Sequence, residues 1–475
     1  YLKAPKLNGN YHYLVIDIKW ATLPLCSNGI NVLNSKLYPA YKGQLAIYTA
    51  ALGLVQGYTP SKAYILAKSW EYTKKNNKKT GYNCFDLLGQ VDYEGFDKTY
   101  LKKTENAIKW IRDVRIYGSL WSVDPPSVSE LYPNMNNKYD NPYHNIKCKI
   151  AENINELTEI WMVGTKNRQH AHDNNVYKWS DPNCTLDVLG IHGKKTGPVI
   201  QHILDINRDT TDKIIEPNRI RNNEYDWQNH KDIEFYVDFE TINECLYDEN
   251  ITLRNSKKNG CFIFMIGVGY IDNYRVNSPN LNKWKYKVFV AKSIDMQSEK
   301  DVIQQFTNFI NDKVNEHMRK YRIRDKTLCY PSIMHWGHAE KSMLNGANRR
   351  HNYIWSNWKD KVIWVDMYNI FKNEPIVIKG VKSFGLKGIS KAMYNYGYIK
   401  STWDKDGPGD GLSAMMKAIS YYKFMNKYNN SPHNNRGVSR EHKCHKEKFD
   451  KIIKYNEIDC RVLWEIITYL RLNHC

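Results

Sequence analysis

The stretch Tyr236-Val237-Asp238-Phe239-Glu240-Thr241 follows directly on an apolar run, so that IEFYV leads into two carboxylates one residue apart. Residues i and i+2 of a strand share a face, which puts Asp238 and Glu240 together on one side of a sheet edge. Carboxylates held that close repel each other, and a divalent cation relieves the repulsion. An exposed strand carrying two acids would read the same over six residues, so the decision falls to the surrounding chain.

Downstream, GCFIFMIGVGY (260–270) and WKYKVFVA (284–291) read as two further apolar strands, which together with the first make a three-strand meander. SEKDVIQQFTNFINDKVNEHM (298–318) is an amphipathic helix with a Ser at its start. In SIMHWGHAEKSML (332–344) a short strand runs into a helix carrying Glu340. KVIWVDMYNIF (361–371) is a strand ending at Asp366, and SFGLKGISKAMYNYG (383–397) is a helix. The polar stretch 426–447 reads as a loop. The last helix, FDKIIKYNEIDCRVLWEIITYLR (449–471), holds Tyr455 and Asp459 four residues apart and hence on one face.

This region resembles the DEDD exonucleases of the RNase H-like fold, in the branch whose last motif is YxxxD. Asp238 and Glu240 match the first motif, Glu340 stands where the Asp of the second is expected, and Tyr455 and Asp459 match the third. The resemblance implies two-metal phosphodiester hydrolysis with Mg²⁺ or Mn²⁺. Asp238 would bridge the ions, Glu240 and Asp459 would hold them, Glu340 would orient a bound water, and Tyr455 would position the attacking one. Glu in place of Asp in the second motif is a departure from the pattern. His335 and His338 flank that motif, as phosphate contacts or as packing and solvent-facing residues.

Upstream, KLNGNYHYLVIDIKW contains an Asn-Gly turn signal ahead of a strand reading from Tyr11 to Trp20, with YLKAP as the first arm of a hairpin. Asp17 and Lys19 share a face of that strand. SKLYPAYKGQLAIYTAALGLVQG (35–57) reads as a helix on which Gln44 and Tyr48 are neighbours; a strand follows from Lys62 and a helix from Tyr100. Hairpin, acid-x-Lys strand, QxxxY helix and strand, in that order, resemble the RecB-like branch of the PD-(D/E)XK nucleases, which includes lambda exonuclease and the CRISPR-associated RecB-like exonucleases. The resemblance implies that Asp17 binds a divalent metal, that Lys19 steadies the attacking water or developing charge, and that Gln44 and Tyr48 lie close to the substrate. The family carries a further acid on the preceding strand. Residues 1–10 hold no Asp or Glu, so that acid is expected upstream of Tyr1, or else the domain is degenerate. CRISPR-associated relatives hold an iron–sulfur cluster through grouped cysteines; with no C-x-x-C in this chain, no iron–sulfur cluster is expected.

The expected fold class is therefore α/β (α+β): a PD-(D/E)XK restriction-endonuclease-like domain over 1–123, a helical connector over 124–229, and an RNase H-like domain over 230–475. The connector passage IAENINELTEIWMVGTKNRQHAHDNNV (150–176) reads as helix–turn–helix, with His170 and His172 as metal ligands or solvated helix residues.

Composition bounds the partners. Over 475 residues the net charge is +19, which points to a polyanion, DNA (single- or double-stranded) or RNA. No apolar run has the length of a membrane span, so no membrane partner is expected. Ten cysteines without paired spacing suggest reduced thiols in an intracellular compartment. A homodimer stays open. The function these features imply is a metal-dependent nuclease with two sites on one chain. A nucleic-acid-binding scaffold with one or both sites inactive, or an RNA-processing exonuclease, would share much of the pattern.

Overall fold

The structure, a computed structural model, describes residues 11–35, 38–75, 77–82, 86–137, 140–242, 261–272, 283–403, 411–429 and 436–475. The first arm of the expected hairpin, 1–5, lies outside the described residues. By contact the chain divides into two units, Tyr1–Leu131 and Tyr132–Cys475.

In the N-terminal unit, strand β1 (Ile16–Pro24) precedes helix α1 (Tyr38–Gln56), strands β2 (Lys62–Lys74), β3 (Asn77–Gly81) and β4 (Gly89–Asp92), and helix α2 (Thr99–Tyr117). β1 begins at Ile16 rather than at Tyr11 and runs parallel to β2, while β3 and β4 both pair antiparallel with β2. A parallel pair needs a crossover, and α1 supplies it. The helix is anchored by Lys42, a fully buried lysine whose Nζ donates to Val32 O, Asn34 Oδ1 and Asp97 Oδ1, each at 2.6 Å. All three of its donors are used, which is what makes a buried ammonium tolerable.

The C-terminal unit opens with helices α3 (His144–Ile154), α4 (Thr165–Asp173) and α5 (Thr196–Arg208), then short strand β5 (Ile215–Glu216). Strands β6 (Glu234–Ile242), β7 (Phe262–Ile271) and β8 (Trp284–Val290) form the antiparallel meander. Helix α6 (Met296–Tyr321), strand β9 (Ser332–His335), helices α7 (Ala339–Arg350) and α8 (Ser356–Lys359), strand β10 (Ile363–Asp366) and helix α9 (Met367–Asn373) follow. Short strand β11 (Val377–Ile378), which pairs with β5, and helices α10 (Leu386–Asn395), α11 (Gly411–Asn429) and α12 (Arg436–Asn473) complete it. The five-stranded sheet has the order β10-β9-β6-β7-β8, with β10, β9 and β6 parallel. The strand bearing Asp238 and Glu240 is thus the central one, not an edge. Its burial on both faces accounts for the nearly continuous apolar reading of β6 and β7.

Two cores cover the faces of this sheet. One is built from β6, β7, α6 and α11, with Phe264, Phe306 and Ile419 among its members. The other joins Leu157, Ile203 and Trp227 to Phe371 and Met393 and to Val462 and Leu470 of α12. Residues 132–229, read from sequence as most of a connector, therefore share a core with the residues that follow them. The cap of α6 is Asp295, which accepts from Ser298 N at 2.8 Å, rather than the Ser itself. Much of the polar stretch 426–447 is helical rather than the loop its composition suggests, since α11 extends to Asn429 and α12 starts at Arg436; residues 430–435 lie outside the described residues. Lys and Glu are good helix formers, and the apolar face of α12 continues through Phe449, 5 % exposed.

Candidate metal centre

Asp238 and Glu240 leave the middle of β6, and Asp459 meets them from α12, which packs against β6 and β7. One carboxylate oxygen from each lies within 4.8 Å of the others, the one such grouping of acidic, His or Cys side chains among the described residues. Glu240 and Asp459 are buried, while Asp238 retains partial solvent access. α12 is held in register at its far end, where Arg471 donates to both oxygens of buried Glu234, at 2.8 and 2.9 Å. Glu234 begins β6, so this ion pair fixes one end of the strand against the helix that carries Asp459.

Burial dominates the electrostatics, and crowding adds to it. Burial, then the charges of Glu240 and Glu340, push the Asp238 carboxyl far above its usual range, with Lys387 opposing. Burial and Asp459 raise Glu240 to about 8, and burial and Asp238 raise Asp459, again with Lys387 opposing. Lys387 of α10 lies over the Tyr455 ring at 4.7 Å and the Trp403 ring at 5.7 Å. Several carboxylates thus face one lysine, an excess of negative charge in a buried place. Hard oxygen donors with surplus charge suit a divalent cation, and these three residues fit one.

Asn456, within the YNEID run but not singled out by the sequence reading, completes the centre. Its Nδ2 donates to Asp238 Oδ2 at 2.7 Å, and its Oδ1 accepts from Tyr286 OH at 2.8 Å. It lies three residues before Asp459 and so on the same helical face; that spacing was the available signal. Gly267, paired with Asp238 across β6 and β7, leaves the room that Asn456 occupies. Lys387 and Tyr286 carry no local signal, since only packing brings them here.

Tyr455, 7 % exposed, lies one turn before Asp459. Glu340, 6 % exposed, stands outside the group of three; its charge reaches Asp238 and Asp459, and its Oε2 is 3.4 Å from His335 Nδ1. Asp366 serves as the cap of α9, accepting from Tyr368 N and Gly337 N at 3.0 and 2.8 Å. His172 packs between the rings of Tyr132 and Tyr177, at 4.6 and 4.8 Å, a structural use. Neither His170 nor His172 joins an acidic, His or Cys grouping of metal-site geometry among the described residues.

In the N-terminal unit the four residues read as a second site form one connected chain. Lys19 Nζ pairs with Asp17 Oδ2 and donates to Gln44 Oε1, both at 2.8 Å, and Gln44 Nε2 donates to Tyr48 OH at 2.7 Å. Lys19 also lies 4.7 Å from the Tyr41 ring centre. The free cysteines found among the described residues include Cys26, Cys148 and Cys184. No described helix is long and apolar enough to cross a membrane. Comparison with protein families, with curated proteins and with solved structures finds no match for this chain.

Proposed function

We propose that this chain is a divalent-metal-dependent nuclease whose hydrolytic centre is the cluster of Asp238, Glu240 and Asp459, with DNA as substrate and Mg²⁺ or Mn²⁺ as the natural ion. The observation that carries the reading is the convergence of those carboxylates, from the central strand and the last helix, with Tyr455 one turn away. An antiparallel meander continued by two parallel strands is the arrangement expected of an RNase H-like domain and supports that reading of the fold; the DEDDy assignment and 3′–5′ polarity follow from the motif resemblance alone. A bound divalent ion would supply a lowered water pKa and a counter-charge for the phosphate. Asp238, Glu240 and Asp459 would hold it. Asn456 keeps Asp238 in one orientation, Tyr455 orients the attacking water, and Lys387 offsets negative charge as it develops.

A different role is favoured for the N-terminal unit. Its Asp17 pairs with Lys19 and joins no grouping of three or more acidic, His or Cys side chains of metal-site geometry among the described residues. We read the unit as RecB-like in fold and as one that grips nucleic acid through Lys19, Gln44 and Tyr48. The net charge of +19 suits phosphate contacts, and binding should weaken steeply with salt.

The test is single-turnover digestion of 3′- and 5′-labelled single- and double-stranded DNA, and of RNA, with Mg²⁺, Mn²⁺ or EDTA. Metal-dependent release of 3′ nucleotides is expected. Binding without cleavage under every condition would make the chain a nucleic-acid scaffold instead.

A further inference from the structure

Helix α3 carries ligating side chains that the carboxylate centre does not use. Asp140, His144, Cys148 and Glu152 recur at intervals of four residues. The last three therefore lie one turn apart on one face of the helix. Asp140 sits in the turn just ahead of it, where Tyr143 N donates to Asp140 O at 2.8 Å.

The contacts among these residues orient a metal ligand. His144 Nδ1 lies 2.8 Å from Asp140 Oδ1. Lys147 foremost, with His144 assisting, holds the Asp140 carboxyl below the usual carboxylate range, so it is ionised and only accepts. Nδ1 therefore carries the proton, and the lone pair of Nε2 faces Cys148 Sγ at 3.5 Å. A carboxylate behind the ring is the usual outer support of a metal-bound imidazole. Zinc takes an imidazole nitrogen at about 2.0 Å and a thiolate sulfur at about 2.3 Å in a tetrahedral array, which sets the two atoms roughly 3.5 Å apart. That is the separation found here. Burial, then the charge of Glu152, raises the Cys148 thiol, with Lys147 opposing; the Glu152 carboxylate is thus close enough to act on the sulfur. The positive charge of Lys147 is engaged elsewhere, by Asp140 Oδ2 and by the carbonyls of Asn134 and Asn137. His144 and Cys148 are both partly exposed, which leaves an ion a path from solvent.

We propose that His144 Nε2 and Cys148 Sγ hold a borderline-soft divalent cation of the zinc class, with Glu152 as third ligand and water in the fourth position. Glu152 is exposed and reaches the ion by turning its side chain, while Asp140 fixes the ring from behind. In the empty site the thiol donates to Nε2; binding forms the sulfur–metal bond and releases that proton to solvent. Thiolate and imidazole favour zinc over the hard ions that suit three carboxylates, so the chain carries two chemically distinct metal sites. This one ties the first turns of α3 to the segment ahead of it, and it does not depend on the hydrolytic reading of the other.

The experiment is titration of the reduced full chain with Cd²⁺ in excess Mg²⁺, followed by the ultraviolet sulfur-to-metal charge-transfer band that only a thiolate ligand produces. The wild type should develop the band to saturation with the first equivalent, and Zn²⁺ should abolish it by competition. Cys148→Ser should lose that first-equivalent band. His144→Ala should weaken Cd²⁺ binding by roughly tenfold or more, and Asp140→Asn by about tenfold through the ring it supports. Unfolding temperatures without metal confirm that each variant folds. Asp459→Asn should bind Cd²⁺ at the thiolate as the wild type does, which separates this site from the carboxylate centre. An undiminished band in Cys148→Ser, or equal affinity in His144→Ala, overturns the site. So does the absence of a saturable band in the wild type, the result expected if Cys148 and His144 share a hydrogen bond and nothing more.

Discussion

Asn456 and Gly267 are made for each other: a Cβ at position 267 would lie 1.6 Å from Asn456 Oδ1, so the amide that orients Asp238 can be there only because its neighbour on β7 has no side chain. The centre thus depends on a residue that carries no chemistry of its own.

Gly267→Ala should displace Asn456 and release Asp238 from its hydrogen bond. Metal-dependent cleavage should fall by about two orders of magnitude, a loss of roughly 3 kcal/mol of transition-state stabilisation. Asn456→Ala in the glycine background should cost a similar factor. Full activity in Gly267→Ala would show that Asn456 positions nothing.

Asp238→Asn and Asp459→Asn should each lower cleavage by about two to four orders of magnitude, roughly 3–5 kcal/mol. The metal-free proteins should become more stable, because each change removes a charge from a buried group of like charges. Opposite effects on rate and on the unfolding temperature in EDTA are the signature. Adding Mn²⁺ should raise that temperature in the wild type and much less in either variant. Tyr455→Phe, which removes only a hydroxyl, should cost about ten- to a hundredfold in rate.

Arg471→Met should destabilise the protein by about 3–5 kcal/mol, since it strands the buried Glu234 carboxylate without its partner. Most of that stability should return in Arg471→Met/Glu234→Leu, where no charge is left behind. Chemical denaturation of the two variants decides it; equal destabilisation in both would mean that the charge pair is not the cause.

His230 governs an acid limb of stability. Burial lowers its pKa to about 4, with Glu234 and Asp232 opposing and Arg471 assisting. The unfolded ring, with a pKa near 6.5, takes up its proton first as pH falls, so the folded state loses ground between pH 6.5 and 4. Above that window the contribution is fully present, and across it about 3 kcal/mol is lost. Denaturation midpoints at pH 7 and 4.5 should differ less in His230→Leu than in the wild type.

Lys19→Ala breaks the Asp17–Lys19–Gln44–Tyr48 chain in the N-terminal unit. It should weaken binding to duplex DNA and leave the 3′-end hydrolysis of a short single strand unchanged. Loss of that hydrolysis in Lys19→Ala, with Asp459→Asn still active, would move the catalytic centre to the N-terminal unit.

Much of the candidate centre is legible in one dimension because strand and helix have fixed periods. Asp238 and Glu240 share a face by the two-residue repeat, Tyr455 and Asp459 by the helical turn, and Asp17 with Lys19 and Gln44 with Tyr48 by the same two rules. The order of apolar strands likewise announced the meander of β6, β7 and β8. Other features depend on partners far apart in the chain. Asn456 meets Asp238 across 218 positions, Lys387 reaches the carboxylates from another helix, and Gly267 matters only for what is packed against it. The same holds for 132–229, whose Leu157, Ile203 and Trp227 look like those of any helical segment until α12 supplies the other half of their core. Side-chain periodicity is set by backbone geometry within a few residues, so the sequence by itself determined which groups share a face. Which faces meet is decided by the burial of apolar surface across the whole unit, and only the tertiary structure decided that.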